Sequence, residues 1–163
     1  MKAEELRIGN FVKADKDDYQ GIVSAILSDE LVEVTYPSGV TASEYPEELA
    51  PIPLTEDWLL RAGFRKQINK GFVTFHNYVC MTDFYLRESF KGGYYFGFII
   101  NGRHYEFNDA TNYEYVHQLQ NLYFALTGDE LTFADNHNPC TSSDPDDRCE
   151  NCNCWKSTRS NCS

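Results

Sequence analysis

The 163-residue sequence has no run of about 18 apolar residues, the length a helix needs to span a bilayer. Its start, MKAEELRIGN, lacks the basic and apolar stretches of a signal peptide, so the expected compartment is a reducing cytoplasm. Basic charge is scarce. With 14 Lys and Arg against 25 Asp and Glu, the net charge of -11 argues against a coat for duplex DNA or RNA. Cysteine is nearly absent up to residue 133, where only Cys80 occurs, so that part must fold on apolar burial alone. Missing too are a phosphate-cradling glycine loop, a nucleophile elbow and a helix with the HExxH spacing. The sequence therefore directs no catalytic assignment, and the expectation is a protein that is not an enzyme.

What is present divides into three segments. Residues 1–54 hold 4 of the basic and 11 of the acidic side chains, residues 55–133 hold 7 and 9, and residues 134–163 hold 3 and 5. Most of the excess acidity thus belongs to the first segment. That segment reads as short β-branched runs between turn signals: Phe11–Ala14, Gly21–Leu27, Leu31–Tyr36, Val40–Ser43 and Leu49–Leu54, with a Pro37-Ser38-Gly39 turn. Short strands with turns at this spacing predict a small, strongly bent, SH3-like barrel.

Residues 55–133 predict an α+β unit. Thr55 at an N-cap position, acids at Glu56 and Asp57, the apolar Trp58-Leu59-Leu60 and a stop at Gly63 give a short helix anchored by Trp58. Apolar runs follow at 72–76, 78–81, 84–88 and 94–100, and Asn101-Gly102 signals a type I′ hairpin into 103–107. Asn108–Asn112 breaks the sheet and caps a long helix over 113–126, with Val116, Leu119, Tyr123 and Leu126 on its apolar face. A last short strand is expected over 130–133. The unit is then a three- or four-stranded antiparallel meander packed by one long helix.

Three segments of this stretch are distinctive as sequence: Leu6-Arg7-Ile8-Gly9-Asn10, the run from Pro51 to Leu60 with Gly63-Phe64, and Val116–Gly128 with Glu130-Leu131. On them the chain resembles a family of small uncharacterised proteins from Bacteroidetes genomes and their phages and prophages. The resemblance implies a bacterial or phage, cytoplasmic origin and no catalytic residues. Family members end soon after the long helix, so the segment 134–163 departs from the pattern. The first segment is similar, separately, to KOW and Tudor-type SH3-like modules. It shares with them the opening Gly9-Asn10-Phe11-Val12, the strand Val32-Glu33-Val34-Thr35-Tyr36, Gly39 and the closing Leu49-Ala50-Pro51. Such barrels bind nucleic acids, peptides or a neighbouring domain.

The tail holds Cys140, Cys149, Cys152, Cys154 and Cys162. Cys149 and Cys152 have the two-residue gap that turns two thiolates onto one zinc ion, and Cys140 and Cys154 complete a candidate metal set, with Cys162 and His137 as other ligands. A second such pair is lacking. A metal-held tail, an unstructured tail and a disulfide-linked one stay open. Cys80, in an apolar strand with His76 about 13 Å away, reads as a core thiol.

Aromatics make up 15% of the chain. With a helix on one face of the sheet, the other face is expected to carry a Tyr-rich binding surface of Tyr85, Tyr94, Tyr95, Phe96, Phe98 and Tyr105. Few Lys or Arg interleave with these rings, which favours a protein partner over nucleic acid. The leading expectation is a non-enzymatic protein-binding module, with inhibition by nucleic-acid mimicry as one form of it. A nucleic-acid-associated protein using the barrel and a zinc tail is the alternative. Catalysis would require His104, Glu106 and His117 to meet in one cleft.

Overall fold

The computed structural model describes residues 1–14, 19–28, 30–69, 71–79, 82–89, 92–107 and 112–134. The first sheet holds β1 (Phe11–Ala14), β2 (Gln20–Ser28), β3 (Leu31–Thr35), β4 (Thr41–Glu44) and β5 (Leu49–Ala50), in the order β4-β3-β2-β1-β5. The fully buried Val12, Val23, Val32 and Val34, joined by Leu6 and Leu49, fill a small core beneath it. The pairing of β2 with β3 shifts register between Val23 and Ala25 and again between Ile26 and Ser28. Each shift bends the strand, and the sheet curls into a half-barrel as β5 returns to pair with β1.

A short helix, α1 (Glu56–Arg61), leads to the second sheet of β6 (Arg65–Asn69), β7 (Phe72–Val79), β8 (Thr82–Glu88), β9 (Tyr94–Ile100) and β10 (Arg103–Glu106). Its order, β10-β9-β8-β7-β6, is an all-antiparallel meander. It has five strands rather than the expected three or four. The extra one, β6, carries Arg65-Lys66-Gln67-Ile68-Asn69 at the sheet edge. It pairs with β7 along its whole length although it has no apolar alternation. Asn101 and Gly102, at φ 50° and 73°, make the expected hairpin turn, since a type I′ turn requires positive φ at both central residues.

The long helix, α2, runs from Val116 to Thr127 and ends on Gly128 in the left-handed conformation. It starts three residues later than the periodicity predicts. Tyr113 and Tyr115 are extended instead, bridging to Tyr94 and Pro53. Gln118 Oε1 accepts hydrogen bonds from the N–H groups of Glu114 and Tyr115 and so satisfies the helix start. Val116 and Leu119 are buried, whereas Leu126, though it borders Phe84, Leu86 and Phe96 of the sheet, is exposed. Residues 130–133 pair with neither sheet. Leu131 enters the main core, and Phe133 packs at 5.0 Å from Trp58 and 5.4 Å from Phe11, which hold this stretch without a ladder. Thr55 occupies the N-cap of α1 without a side-chain capping bond. The main core gathers Ile52, Leu54, Trp58, Leu59, Phe64, Phe75, Leu86, Phe96, Val116 and Leu119 between α1, α2 and one face of the second sheet. No described helix is long and apolar enough to cross a membrane.

Candidate functional site

Side chains alternate across a strand, so register decides which aromatics meet. Leu86 pairs with Phe96, Phe84 with Phe98 and Phe98 with Tyr105, which places Tyr94, Phe96, Phe98 and Tyr105 on the helix side of the sheet. Tyr85 pairs with Gly97 and Arg87 with Tyr95, which places Tyr85 and Tyr95 on the opposite side. The six residues expected to form one open surface therefore divide between two faces. Tyr94, Phe96 and Tyr85 are buried, Tyr95 and Phe98 half-buried, and Tyr105 exposed. A strand period of two forbids neighbours such as Tyr94, Tyr95 and Phe96 from sharing a face, and this is why the expectation fails.

α2 covers only part of its side of the sheet, over Phe84, Leu86 and Phe96. Beyond it the β9–β10 hairpin carries a terrace of rings. Phe96 stacks on Phe107 at 5.6 Å, Phe98 stacks on Tyr105 at 5.5 Å, and Phe98 lies 5.5 Å from Phe107. Its outer members are open, with Ile100 46%, Tyr105 46% and Phe107 53% exposed. Phe107 and Ile100 belong to this surface and are absent from the expected set. The hairpin register would have found them, because Phe107 continues the parity of Tyr105.

The opposite face is polar and carries two groups the sequence did not single out together, His76 and Asp83. Their side chains meet at 3.1 Å across β7 and β8, and His76 Nε2 lies 3.1 Å from Thr74 Oγ1. Tyr85 lies between His76, stacked at 5.8 Å, and His104 at 5.5 Å. Burial raises its phenol pKa, the Glu106 carboxylate adds to the rise, and Arg87 opposes it. Arg87 donates to both oxygens of Glu106, at 2.7 and 2.8 Å, and this bond raises the guanidinium pKa further. The pair neutralises itself, leaving no isolated charge to serve as an acid or base.

His117 lies on α2, on the other side of the sheet from His104 and Glu106, so the three do not share a cleft. It lines a cleft of about 580 Å³ with Tyr113, Tyr115, Gln118 and Glu5, and Tyr115 stacks on it at 5.9 Å. Its imidazole is 4% exposed, and among the described residues Nδ1 has no hydrogen-bond partner. Burial lowers its pKa, with the Glu5 carboxylate opposing the shift, so the neutral ring is favoured. Tyr94 is pushed up to about 12 by burial, with Glu88 and Glu56 adding to the rise.

Among the described residues no group of three or more His, Cys, Asp or Glu is arranged to hold a metal ion. The candidate zinc ligands Cys140, Cys149, Cys152 and Cys154, with Cys162 and His137, lie outside the described residues, as does Cys80. Comparison with family models, with curated proteins and with solved structures gave no match.

Proposed function

We propose that the protein is a non-enzymatic protein-binding module of bacterial or phage origin, acting in the cytoplasm through the terrace of Phe98, Ile100, Tyr105 and Phe107. The observation that carries this reading is the contiguous exposure of Ile100, Tyr105 and Phe107 beside β10, an outer strand of its sheet among the described residues. Stacked, half-open aromatics are the anchors that protein interfaces bury, since each ring removes a large apolar area from water at little entropic cost. Recognition of nucleic acid would call for cations among the rings. Between Phe98 and Phe107 there is one Arg, at 103, and no Lys. The strand order of the first sheet, with its last strand returning to its first, supports the SH3-like reading of residues 1–54, a scaffold compatible with several ligand classes.

A photo-crosslinking phenylalanine analogue placed at Tyr105 of the intact chain tests this reading in cells. The expected result is an ultraviolet-dependent protein adduct that Phe107→Asp abolishes and that the same analogue at Tyr19, an exposed residue of the other sheet, does not give. A nucleic-acid adduct, or none from Tyr105, overturns it.

A further inference from the structure

The cleft of about 580 Å³ at the start of α2 shares no residue with the terrace. Its volume lies within the range of about 300–1,000 Å³ that small-molecule sites occupy. Such sites join apolar walls to a few placed polar groups. Pro51, Leu122 and the rings of Tyr113 and Tyr115 supply the walls.

His117 is the buried polar group of the cleft. Neither of its ring nitrogens has a hydrogen-bond partner among the described residues, and Nδ1 is sealed from solvent, which leaves Nε2 as the nitrogen on the cleft side. Burial favours the neutral ring, so one nitrogen carries a proton and the other a lone pair. A sealed N–H without an acceptor is rarer than a sealed lone pair, which assigns the proton to Nε2. The ring then offers the cleft a donor for which the described residues provide no acceptor.

Glu5 supplies the opposite group. It lines the same cleft and acts on the His117 ring through its charge. Its Oε2 accepts the Lys2 N–H at 3.0 Å, and among the described residues no cation pairs with the carboxylate. The amino terminus, which donates to the Pro46 carbonyl at 3.2 Å, acts on His117 with the opposite sign. One charge of each sign selects neither a free anion nor a free cation. The cleft presents a donor, an acceptor and flat apolar walls, which suit a planar ligand without net charge.

We propose that the cleft binds a guanine base, its carbonyl accepting from His117 Nε2–H, its ring and amino N–H groups donating to the Glu5 carboxylate, and its plane lying against the tyrosine rings. Guanine carries these two donors side by side, next to the carbonyl, and a carboxylate can accept both while keeping the bond from Lys2. Adenine would turn a ring-nitrogen lone pair toward the carboxylate, and uracil flanks its N–H with two carbonyl oxygens, so both bring acceptor against acceptor. The rings are set for stacking: Tyr115 lies parallel to His117 at 10°, and Tyr113 meets Phe96 edge-on at 6.3 Å. On a chain of net charge -11 a nucleoside is favoured over its phosphate esters. The site goes beyond the protein-binding reading and does not depend on it.

Nuclear magnetic resonance of the full-length chain, labelled at histidine and titrated with guanosine at pH 7.5, tests the site. The expected result is a saturable shift of the His117 ring signals, with the proton on Nε2 before and after binding. His76 and His104, on the opposite face of the second sheet, should not move. Adenosine is expected to bind about tenfold or more weakly, because it leaves the polar groups of the site unpaired. Glu5→Gln, at an exposed position, and His117→Phe, which keeps a buried ring, should each raise the guanosine dissociation constant by about tenfold or more. A titration with no saturable shift at His117, equal affinity for adenosine, or a Glu5→Gln protein that binds like the parent overturns the proposal. Tighter binding of guanosine 5′-monophosphate than of guanosine overturns the assignment of an uncharged ligand. Each of these failures leaves the crosslinking test of the terrace untouched.

Discussion

Gln120 of α2 accepts a hydrogen bond from the backbone N–H of Phe11 in β1 at 2.9 Å, across 109 residues of sequence. The same carboxamide donates to the Gly9 carbonyl at 2.9 Å. Next to it, Asn10 Nδ2 donates to Asn121 Oδ1, and Asn121 Nδ2 donates to the Glu5 carbonyl, each at 2.9 Å. One helix thus buries its apolar side on the second sheet and uses amide side chains to satisfy the backbone leading into the first. Gln120→Leu keeps the volume and strands both the Phe11 N–H and the Gly9 carbonyl. Two buried groups left unpaired cost about 2–4 kcal/mol. Urea denaturation is expected to show the midpoint falling with the slope unchanged, and an unaltered midpoint contradicts this role.

His117 predicts an acid sensitivity that comes from burial of its ring and is only partly opposed by the Glu5 carboxylate. Its folded-state pKa is lowered from 6.5 by burial, so below that value the unfolded chain binds a proton that the folded chain does not. Stability attributable to this group is present above pH 6.5 and is lost as pH falls from there toward the folded-state pKa. His117→Gln does not titrate. Melting temperatures of the two proteins, measured from pH 7.5 to pH 5, should diverge, with the parent falling faster; parallel curves would refute the assignment.

The Arg87 guanidinium holds Glu106 with two hydrogen bonds and lies 5.1 Å from the Tyr95 ring and 5.5 Å from that of Phe72. Both partners of the ion pair are 21% exposed, so solvent screens them only in part. A planar fork makes both contacts at once, which an ammonium cannot do. Arg87→Lys is therefore expected to lose about 1 kcal/mol although the charge is kept. A double-mutant cycle with Glu106→Gln should return a coupling of about 1 kcal/mol, and additive losses would show that the pair is only incidental.

Much of this architecture is legible in the sequence where one signal dominates. Asn101-Gly102 marks its hairpin because few other residues adopt positive φ in succession, and Trp58 marks α1 because acids precede it and Gly63 follows. β6 is not legible. Arg65-Lys66-Gln67-Ile68-Asn69 has no apolar alternation, and its strand exists because β7 offers a ladder. The polar side of α2 is hidden for a related reason. His117, Gln120 and Asn121 read as a solvated helix face until the entry into β1 is known to lie against them. The candidate surface failed at the level of parity. Composition counts aromatics, while register decides that Tyr95 turns away from Tyr94 and Phe96 and that Phe107 joins Tyr105.

Gly97 is the position where parity and space meet. It lies in the middle of β9, where glycine is ordinarily a weakness, because it packs nothing and loses the most backbone freedom on folding. A Cβ there would run into the Tyr85 ring and would come within 2.6 Å of its hydroxyl and 2.7 Å of the Tyr105 carbonyl oxygen. The ring can swing away; the carbonyl belongs to β10 and cannot move without disturbing the strand. Gly97→Ala, which strand propensity alone would favour, is therefore expected to destabilise by about 1–3 kcal/mol. Truncating the ring separates the two clashes. In a Tyr85→Ala background the penalty of Gly97→Ala should shrink but persist, because the Tyr105 carbonyl remains, and near-ultraviolet circular dichroism should register the displaced tyrosine in the single variant. A Gly97→Ala protein as stable as the parent would mean that Tyr85 does not occupy the space above β9.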